Sequence, residues 1–251
     1  MFQIRRKMTS AYASGRYQLS LEFAQELEQK AIDLMGKRNA VYASCLNNVA
    51  LMYKMLGEQD KALETYTAAL HVYMDIAGKE HVSYAATLSN LGVLYKEMSK
   101  GLKGMERQNY LDRAEEALVE ARETRQKLLG ETHKDTLYSA IHLASLWKLR
   151  DRPQDALVLL RESLLVAEST YGEKDVICAA LRNDLGVLCK ANGELAEAKI
   201  HYTKALEIRR YALGDKHNDT VVSVFNLAEL LTAMGQTEEA QTLQEALIQS
   251  I

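Results

Sequence analysis

Lysine recurs along this sequence at an almost constant spacing, near the end of a repeated helix-like segment. The steps are 42, 52 and 42 positions, and the residues are Lys54, Lys96, Lys148 and Lys190. Amide or imidazole side chains precede them at similar intervals: Asn47, Asn48, Asn90, His142, Asn183 and Asn226. Asparagine offers hydrogen-bond donors and an acceptor, and lysine bonds strongly to carboxylates. Together they are side chains that can bind amide groups and carboxylates of a ligand.

A second interpretation of the lysines stays open. A lysine near the end of a surface helix interacts favourably with the negative helix terminus and keeps the surface hydrated. An exposed ion pair contributes only about 0–1 kcal/mol. Four lysines would therefore affect selectivity for a partner more than binding affinity. Asp184 stands at one of the amide positions and disfavours a uniformly acidic ligand there.

Two further markers repeat with the lysines. An apolar residue followed by a small one recurs with steps of 42, 52, 42 and 42: Val49-Ala50, Leu91-Gly92, Leu143-Ala144, Leu185-Gly186 and Leu227-Ala228. A glycine recurs with the same steps: Gly36, Gly78, Gly130, Gly172 and Gly214. A fixed period of this length indicates stacked structural repeats.

Each period predicts two antiparallel helices. The first ends near a glycine such as Gly57 or Gly193, which tolerates positive φ, and Asp151 stands there in one copy. Pro153, the only proline, falls where a second helix begins and its missing N–H is harmless. The ten extra residues of the long step lie between the two helices of one repeat, around 99–113. They predict either a mobile turn or an extension of the second helix.

These residues resemble the tetratricopeptide repeat (TPR), and the 42-residue form resembles the repeats of kinesin light chain. The resemblance rests on Ala50, Tyr53, Ala62, Tyr66 and Ala69 in one copy, and on "LNNVALMY" and "ALEIRRYALGDKH". It implies an all-α fold, a right-handed superhelical TPR solenoid of antiparallel helix pairs. The expected repeats are 1–42 (degenerate), 43–84, 85–136 (with the insertion around 99–113), 137–178, 179–220 and 221–251, the last without a capping helix.

The resemblance also implies where a ligand binds. In related repeats the first helices line a concave groove, and asparagines there bond the backbone of an extended peptide. The expected groove residues are therefore the ten amide, imidazole and lysine side chains named at the outset. Further contacts are expected at an exposed C-terminal helix, whose apolar residues Leu243, Leu247, Ile248 and Ile251 would be covered by a partner, a second copy or further residues.

No catalytic site, cofactor or metal site is predicted. His81, His133 and His217 share one loop position and are expected to cap helices. His142 has no nucleophile or acid partner at a catalytic spacing. Cys45, Cys178 and Cys189 lack CxxC spacing and are expected to be buried apolar groups.

Charge and hydropathy limit the classes of partner. The net charge is −3, which disfavours a nucleic-acid partner, and no apolar run approaches the roughly 20 residues of a membrane span. Cytoplasmic localisation is expected, and association with the cytoskeleton is compatible with it. Arg5, Arg6, Lys7 and Arg16, with no acidic residue before Glu22, leave a mitochondrial alternative open.

The leading function is a non-catalytic adaptor or scaffold that binds an extended segment of a partner protein. The alternative is an architectural subunit or assembly factor of a large axonemal, ribosomal or respiratory complex that uses the convex face and both ends. An RNA-binding array and an enzyme are less favoured.

Overall fold

The computed structural model describes the backbone of residues 1–250 and the side chains of residues 1–249. All regular structure within this part of the chain is α-helical, as expected. The helices are α1 (Phe2–Ala13), α2 (Tyr17–Met35), α3 (Ala40–Met55), α4 (Gln59–Ala77), α5 (Val82–Met98), α6 (Gly104–Leu129), α7 (Lys134–Leu149), α8 (Pro153–Tyr171), α9 (Val176–Ala191), α10 (Leu195–Leu213), α11 (Asn218–Ala233) and α12 (Thr237–Ser250).

The chain forms two compact units. The N-terminal unit, Met1–Gly130, contains α1 to α6, and the C-terminal unit begins at Glu131 and contains α7 to α12. Within each unit the helices pair in chain order as antiparallel hairpins, and each hairpin packs on the next. A helix therefore contacts mainly its neighbours in sequence, as in other repeat proteins.

One position of the repeat caps the first helix of each hairpin after α1. Asn39 Oδ1 accepts bonds from the N–H groups of Val41 and Tyr42 at 3.0 and 2.9 Å. Histidine Nδ1 accepts the corresponding bond at His81, His133 and His217, which confirms their expected capping role. Asp175 Oδ1 accepts it at 2.9 Å for α9. Such bonds satisfy N–H groups that a helix start leaves without partners.

The turn between the two helices of a hairpin needs a residue with positive φ. Glycine supplies it in most hairpins, for example Gly57 at φ 78° and Gly193 at 82°. Asp151 takes the position before α8 with φ 58°, and Pro153 is the first residue of α8. The interpretation of these residues as the turn and the helix start is confirmed.

The repeated apolar residues form the core of each unit. Val49, Leu91, Leu143, Leu185 and Leu227 are all buried. The small residue that follows each of them allows the second helix to approach closely. A Cβ on Gly92 would lie 2.7 Å from Leu118 Cγ, and a Cβ on Gly186 would lie 2.7 Å from the ring of Tyr202.

The insertion is mainly an extension of the second helix. α6 has 26 residues, whereas α4 and α10 have 19 each, and a short turn at 99–103 precedes it. At 1.5 Å per residue the added helix is about 10 Å long.

The three cysteines are free and buried, as expected. Burial raises the pKa of Cys45 and Cys178 to about 11 and that of Cys189 to about 12. Their thiols are therefore protonated at neutral pH.

Candidate peptide-binding site

In the N-terminal unit, the predicted amides belong to two neighbouring first helices, α3 and α5. Asn90 Nδ2 donates a hydrogen bond to Asn47 Oδ1 at 3.1 Å, and both side chains are half-buried. Asn48 is also half-buried. The bond fixes the orientation of two amides but leaves the Asn47 NH₂ group and the Asn90 carbonyl with capacity for other partners.

The same bond occurs in the C-terminal unit. Asn226 Nδ2 on α11 donates to Asn183 Oδ1 on α9 at 2.8 Å. The two asparagines of each pair are 43 residues apart, one more than the period of 42. The second asparagine therefore stands one position later in its repeat than the first. We call each pair and its surroundings the amide face of its unit. The recurrence of the bond in the two units indicates a property of the repeat and not of one site.

Two predicted lysines form ion pairs. Lys54 Nζ lies 3.6 Å from Glu97 Oε1 in the N-terminal unit, and Lys190 Nζ lies 2.7 Å from Glu229 Oε1 in the C-terminal unit. Each glutamate belongs to the first helix of the following repeat. These carboxylates were not identified from sequence, because they lie 43 and 39 residues from their lysines and so do not share one repeat position. The lysines and glutamates together present mixed charge.

The other predicted residues also lie on the first helices. Lys148 is exposed on α7, and His142 on the same helix is half-buried. Lys96 is half-buried near the end of α5. The structure thus brings together the Asn47–Asn90 and Asn183–Asn226 pairs, each within its own unit.

Exposed apolar side chains accompany the amide face of the C-terminal unit. Val222 and Phe225 precede Asn226 on α11 and are 49% and 54% exposed. In the N-terminal unit the position of Phe225 is occupied by Asn47 and by the buried Ser89. Sequence reasoning missed this difference, although the aromatic residue beside Asn226 was a visible signal.

The expected C-terminal contact surface is reduced by packing within the chain. Leu247 is buried and Leu243 packs against the core of the C-terminal unit, whereas Ile248 is 73% exposed. Ile251, the fourth residue of that prediction, lies outside the described residues.

Among the described helices, none combines the length and the apolarity that a bilayer span requires.

Family models match three segments of the chain. Models described as "Tetratricopeptide repeat" match residues 43–83, 148–210 and 175–249, and together these matches cover more than half of the chain.

Curated relatives match over a shorter region. The "Clustered mitochondria protein homolog" of Aspergillus fumigatus is 24% identical over 141 residues, and that of Ajellomyces capsulatus is 25% identical over the same length. The matched region is 55% of this chain and 11% of each relative.

Solved structures match between 83% and 98% of the chain. BtubC (BKLC) from P. vanneervenii has a TM-score of 0.67 at 20% identity and is matched over 98% of this chain and 90% of its own. A Podospora anserina putative kinesin light chain with nearly identical TPR-like repeats has a TM-score of 0.64 at 19% identity, over 83% and 92%. A thermophilic TPR protein from Thermus thermophilus has a TM-score of 0.64 at 19% identity, over 90% and 97%. The protein belongs to the tetratricopeptide repeat family, as an all-α TPR solenoid with kinesin light chain-like repeats.

Proposed function

We propose that this protein is a non-catalytic adaptor that binds an extended segment of a partner protein on its amide faces. The observation that carries the proposal is the asparagine–asparagine bond that recurs at the same repeat positions in both units. The TPR family and the TPR-fold neighbours support a role in protein interaction.

The paired amides suit a peptide backbone. Each pair keeps at least one NH₂ group and one carbonyl beyond its internal bond, and a peptide unit needs one acceptor and one donor. The internal bond already orders the two amide side chains. Ligand binding therefore loses less side-chain entropy than it would with unpaired asparagines.

The ion pairs favour a ligand of mixed charge. Lys54 and Lys190 already contact glutamates, so a ligand carboxylate must compete with Glu97 or Glu229. Glu229 is 73% exposed, and such a pair contributes only about 0–1 kcal/mol, so exchange costs little. A ligand with a basic residue can instead contact the glutamates.

The C-terminal unit adds an apolar contact. Phe225 and Val222 are about half exposed beside the amide pair and can pack on an apolar ligand side chain. The proposed ligand segment therefore has acidic and basic residues opposite the lysine–glutamate pairs and an apolar residue opposite Phe225.

A peptide-display selection on the whole protein tests the proposal. Selected peptides are labelled, and their affinity is measured by fluorescence anisotropy at low and moderate salt. We expect Phe225→Ala to weaken binding by about tenfold, as at interface residues that contribute more than 1 kcal/mol. Asn90→Ala and Asn226→Ala should also weaken binding, whereas Lys54→Ala should mainly reduce its salt dependence.

Leu165→Ala is the matched control for Phe225→Ala. Leu165 is 68% exposed but belongs to the second helix α8, so its loss should leave peptide affinity unchanged. If no peptide saturates the wild type, or if Leu165→Ala and Phe225→Ala weaken binding equally, the amide face is not the binding site.

The alternative is an architectural subunit of a larger complex. Exposed apolar residues on second helices favour it: Val158, Leu165 and Ile200 are each more than half exposed. Under this alternative the protein co-sediments with a large assembly, Leu165→Ala reduces that association, and no peptide saturates the amide faces.

We propose a cytoplasmic location with no nucleic-acid or membrane partner, and a mitochondrial association as the alternative. The names of the curated relatives and the basic residues Arg5, Arg6, Lys7 and Arg16 support the alternative. Cell fractionation of the untagged protein distinguishes the two locations.

A further inference from the structure

Three side chains of types that bind metals meet between the two helices of the α9–α10 hairpin. They are Cys189 on α9 and Glu197 and His201, one turn apart, on α10. One potential ligand atom from each lies within 4.8 Å of the other two. Cys189 is fully buried, and Glu197 and His201 are partly buried.

This combination is specific to one repeat. The position of Cys189 carries Tyr53, Tyr95, Trp147 or Leu231 in the other repeats. In the preceding repeat the same three positions carry Trp147, Asp155 and Leu159, which could not form a comparable site. Sequence reasoning missed the cluster because it judged the cysteines by local CxxC spacing. The helical Glu-x-x-x-His spacing beside a cysteine at a core position was the available signal.

One ring nitrogen of His201, Nδ1, has no hydrogen-bond partner among the described residues. That nitrogen is buried, whereas Nε2 lies 3.5 Å from Glu197 Oε1. A buried polar atom without a partner is costly unless something binds it. Burial, and then the nearby Arg182, lower the pKa of His201.

The Glu197 carboxylate is held in place by an arginine. Arg161 Nη2 donates to its Oε1 at 2.9 Å, and this bond lowers the pKa of the carboxyl. The contacts of Arg161 and His201 both use Oε1, which leaves Oε2 for another ligand. Carboxylate ligands of metals are commonly oriented by such an outer hydrogen bond.

We propose that Cys189, Glu197 and His201 bind a divalent transition-metal ion of the zinc class. Sulfur, imidazole nitrogen and carboxylate oxygen together are a donor set that Zn²⁺ accepts. Zinc bond lengths of about 2.0–2.3 Å place tetrahedral ligands about 3.3–3.8 Å apart. Separations of at most 4.8 Å therefore need only small side-chain rotations to reach that geometry.

Metal binding releases the thiol proton. Burial, and then the carboxylates of Glu197 and Glu194, raise the pKa of Cys189 to about 12, so the free protein keeps the proton. A bound Zn²⁺ takes up the thiolate electron pair, and the proton leaves to solvent. The ion would join α9 to α10, and its fourth position would hold water.

Titration of the whole protein with Co²⁺ and Zn²⁺ tests the site. We expect a thiolate-to-cobalt charge-transfer band in the wild type and a rise in Tm on adding Zn²⁺. Cys189→Ala should abolish the band and lower Zn²⁺ affinity by more than the roughly 10–100-fold that changes in outer-shell residues cause. His201→Gln should also weaken binding.

Cys178→Ala is the matched control, because Cys178 is on the same helix and equally buried but outside the cluster. It should bind both metals like the wild type. If Cys189→Ala fails to fold, alkylation of the wild type decides the matter, since Zn²⁺ should protect Cys189 and not Cys178. Absence of a thiolate band, or equal protection of both cysteines, overturns the proposal and leaves peptide binding unaffected.

Discussion

In the N-terminal unit Gly92 faces Leu118, whereas in the C-terminal unit Gly186 faces the ring of Tyr202. Both glycines allow a second helix to approach at the same repeat position. At Gly92 a Cβ would meet the buried Leu118 side chain and would also lie 3.2 Å from the carbonyl oxygen of Ala114, whereas at Gly186 the nearest atoms all belong to the buried Tyr202 ring. Neither neighbour can move without disturbing a close-packed core. The repeat therefore requires a small residue at this position in both units, although different side chains fill the space above it.

The two units also differ in how deeply their ion pairs are buried. The C-terminal unit places Arg182 against Glu168 with side-chain exposures of 9% and 21%, and the N-terminal unit places Lys127 against Glu80 at 66% and 67%. Burial weakens solvent screening, so similar charge pairs should contribute differently to stability.

The largest expected effect comes from breaking the buried pair. Arg182→Ala should lower the free energy of unfolding by about 3 kcal/mol, because Glu168 is left largely buried without its cation. Lys127→Ala should cost less than about 1 kcal/mol. Urea denaturation measures both, and replacing Arg182 and Glu168 together by methionine should recover much of the loss. Equal costs for the two single changes would refute the burial argument.

The glycine comparison gives the next effect. Gly186→Ala should cost about 1–3 kcal/mol, because its Cβ would overlap the Tyr202 ring. Gly92→Ala should cost a similar amount, because Leu118 is fully buried and the Ala114 carbonyl oxygen would lie 3.2 Å from the added Cβ. Adding Tyr202→Leu to Gly186→Ala should restore part of the stability in a double-mutant cycle. A negligible cost at either glycine would contradict this account.

Lowering the pH should reduce the stabilisation from the Asp175 cap of α9 but not that from the Asn39 cap of α3. Burial raises the pKa of Asp175, but bonds from Lys134 and the Ile177 N–H outweigh it and hold the pKa below its ordinary value. Its contribution to stability is therefore present above about pH 3.9 and is lost as the pH falls through the lowered pKa. Asn39 caps α3 without titrating.

Asp175→Asn keeps a capping side chain but removes the charge. We expect it to cost up to about 1 kcal/mol at pH 7, and the difference from wild type should vanish in acid. Denaturation between about pH 2 and 7 measures this. A difference that stays constant with pH would exclude a charge contribution from the cap.

The smallest effect should come from the turn before α8. Asp151→Gly should stabilise the C-terminal unit by about 0.5–1 kcal/mol, because φ 58° is unfavourable for a residue with Cβ. Gly57→Asp makes the reverse change in the N-terminal unit and should destabilise it. Thermal unfolding of the two variants should give shifts of opposite sign.

The features that follow from the repeat itself were predictable from sequence. Helix pairs, buried Val49 and Leu185, the turn at Asp151 and the cap at His81 each occupy a fixed position in a period of 42. Packing of one helix on the next imposes these choices locally, so spacing alone reveals them.

Features that depend on side chains of different repeats were not predictable. The Asn47–Asn90 bond requires knowing which atoms of α3 and α5 meet, and Glu97 reaches Lys54 at an offset that the other lysine pair does not share. The insertion allowed a turn or a helix, and the structure extends α6 to Gly104.

Each unit contains at least one free cysteine whose labelling rate can report on local opening of that unit. Cys45 reports on the N-terminal unit, and Cys178 and Cys189 report on the C-terminal unit. A buried, protonated thiol reacts with a disulfide reagent only after its surroundings open, so the labelling rate measures opening locally. The rates of local opening of the two units can therefore be measured separately without introducing a probe.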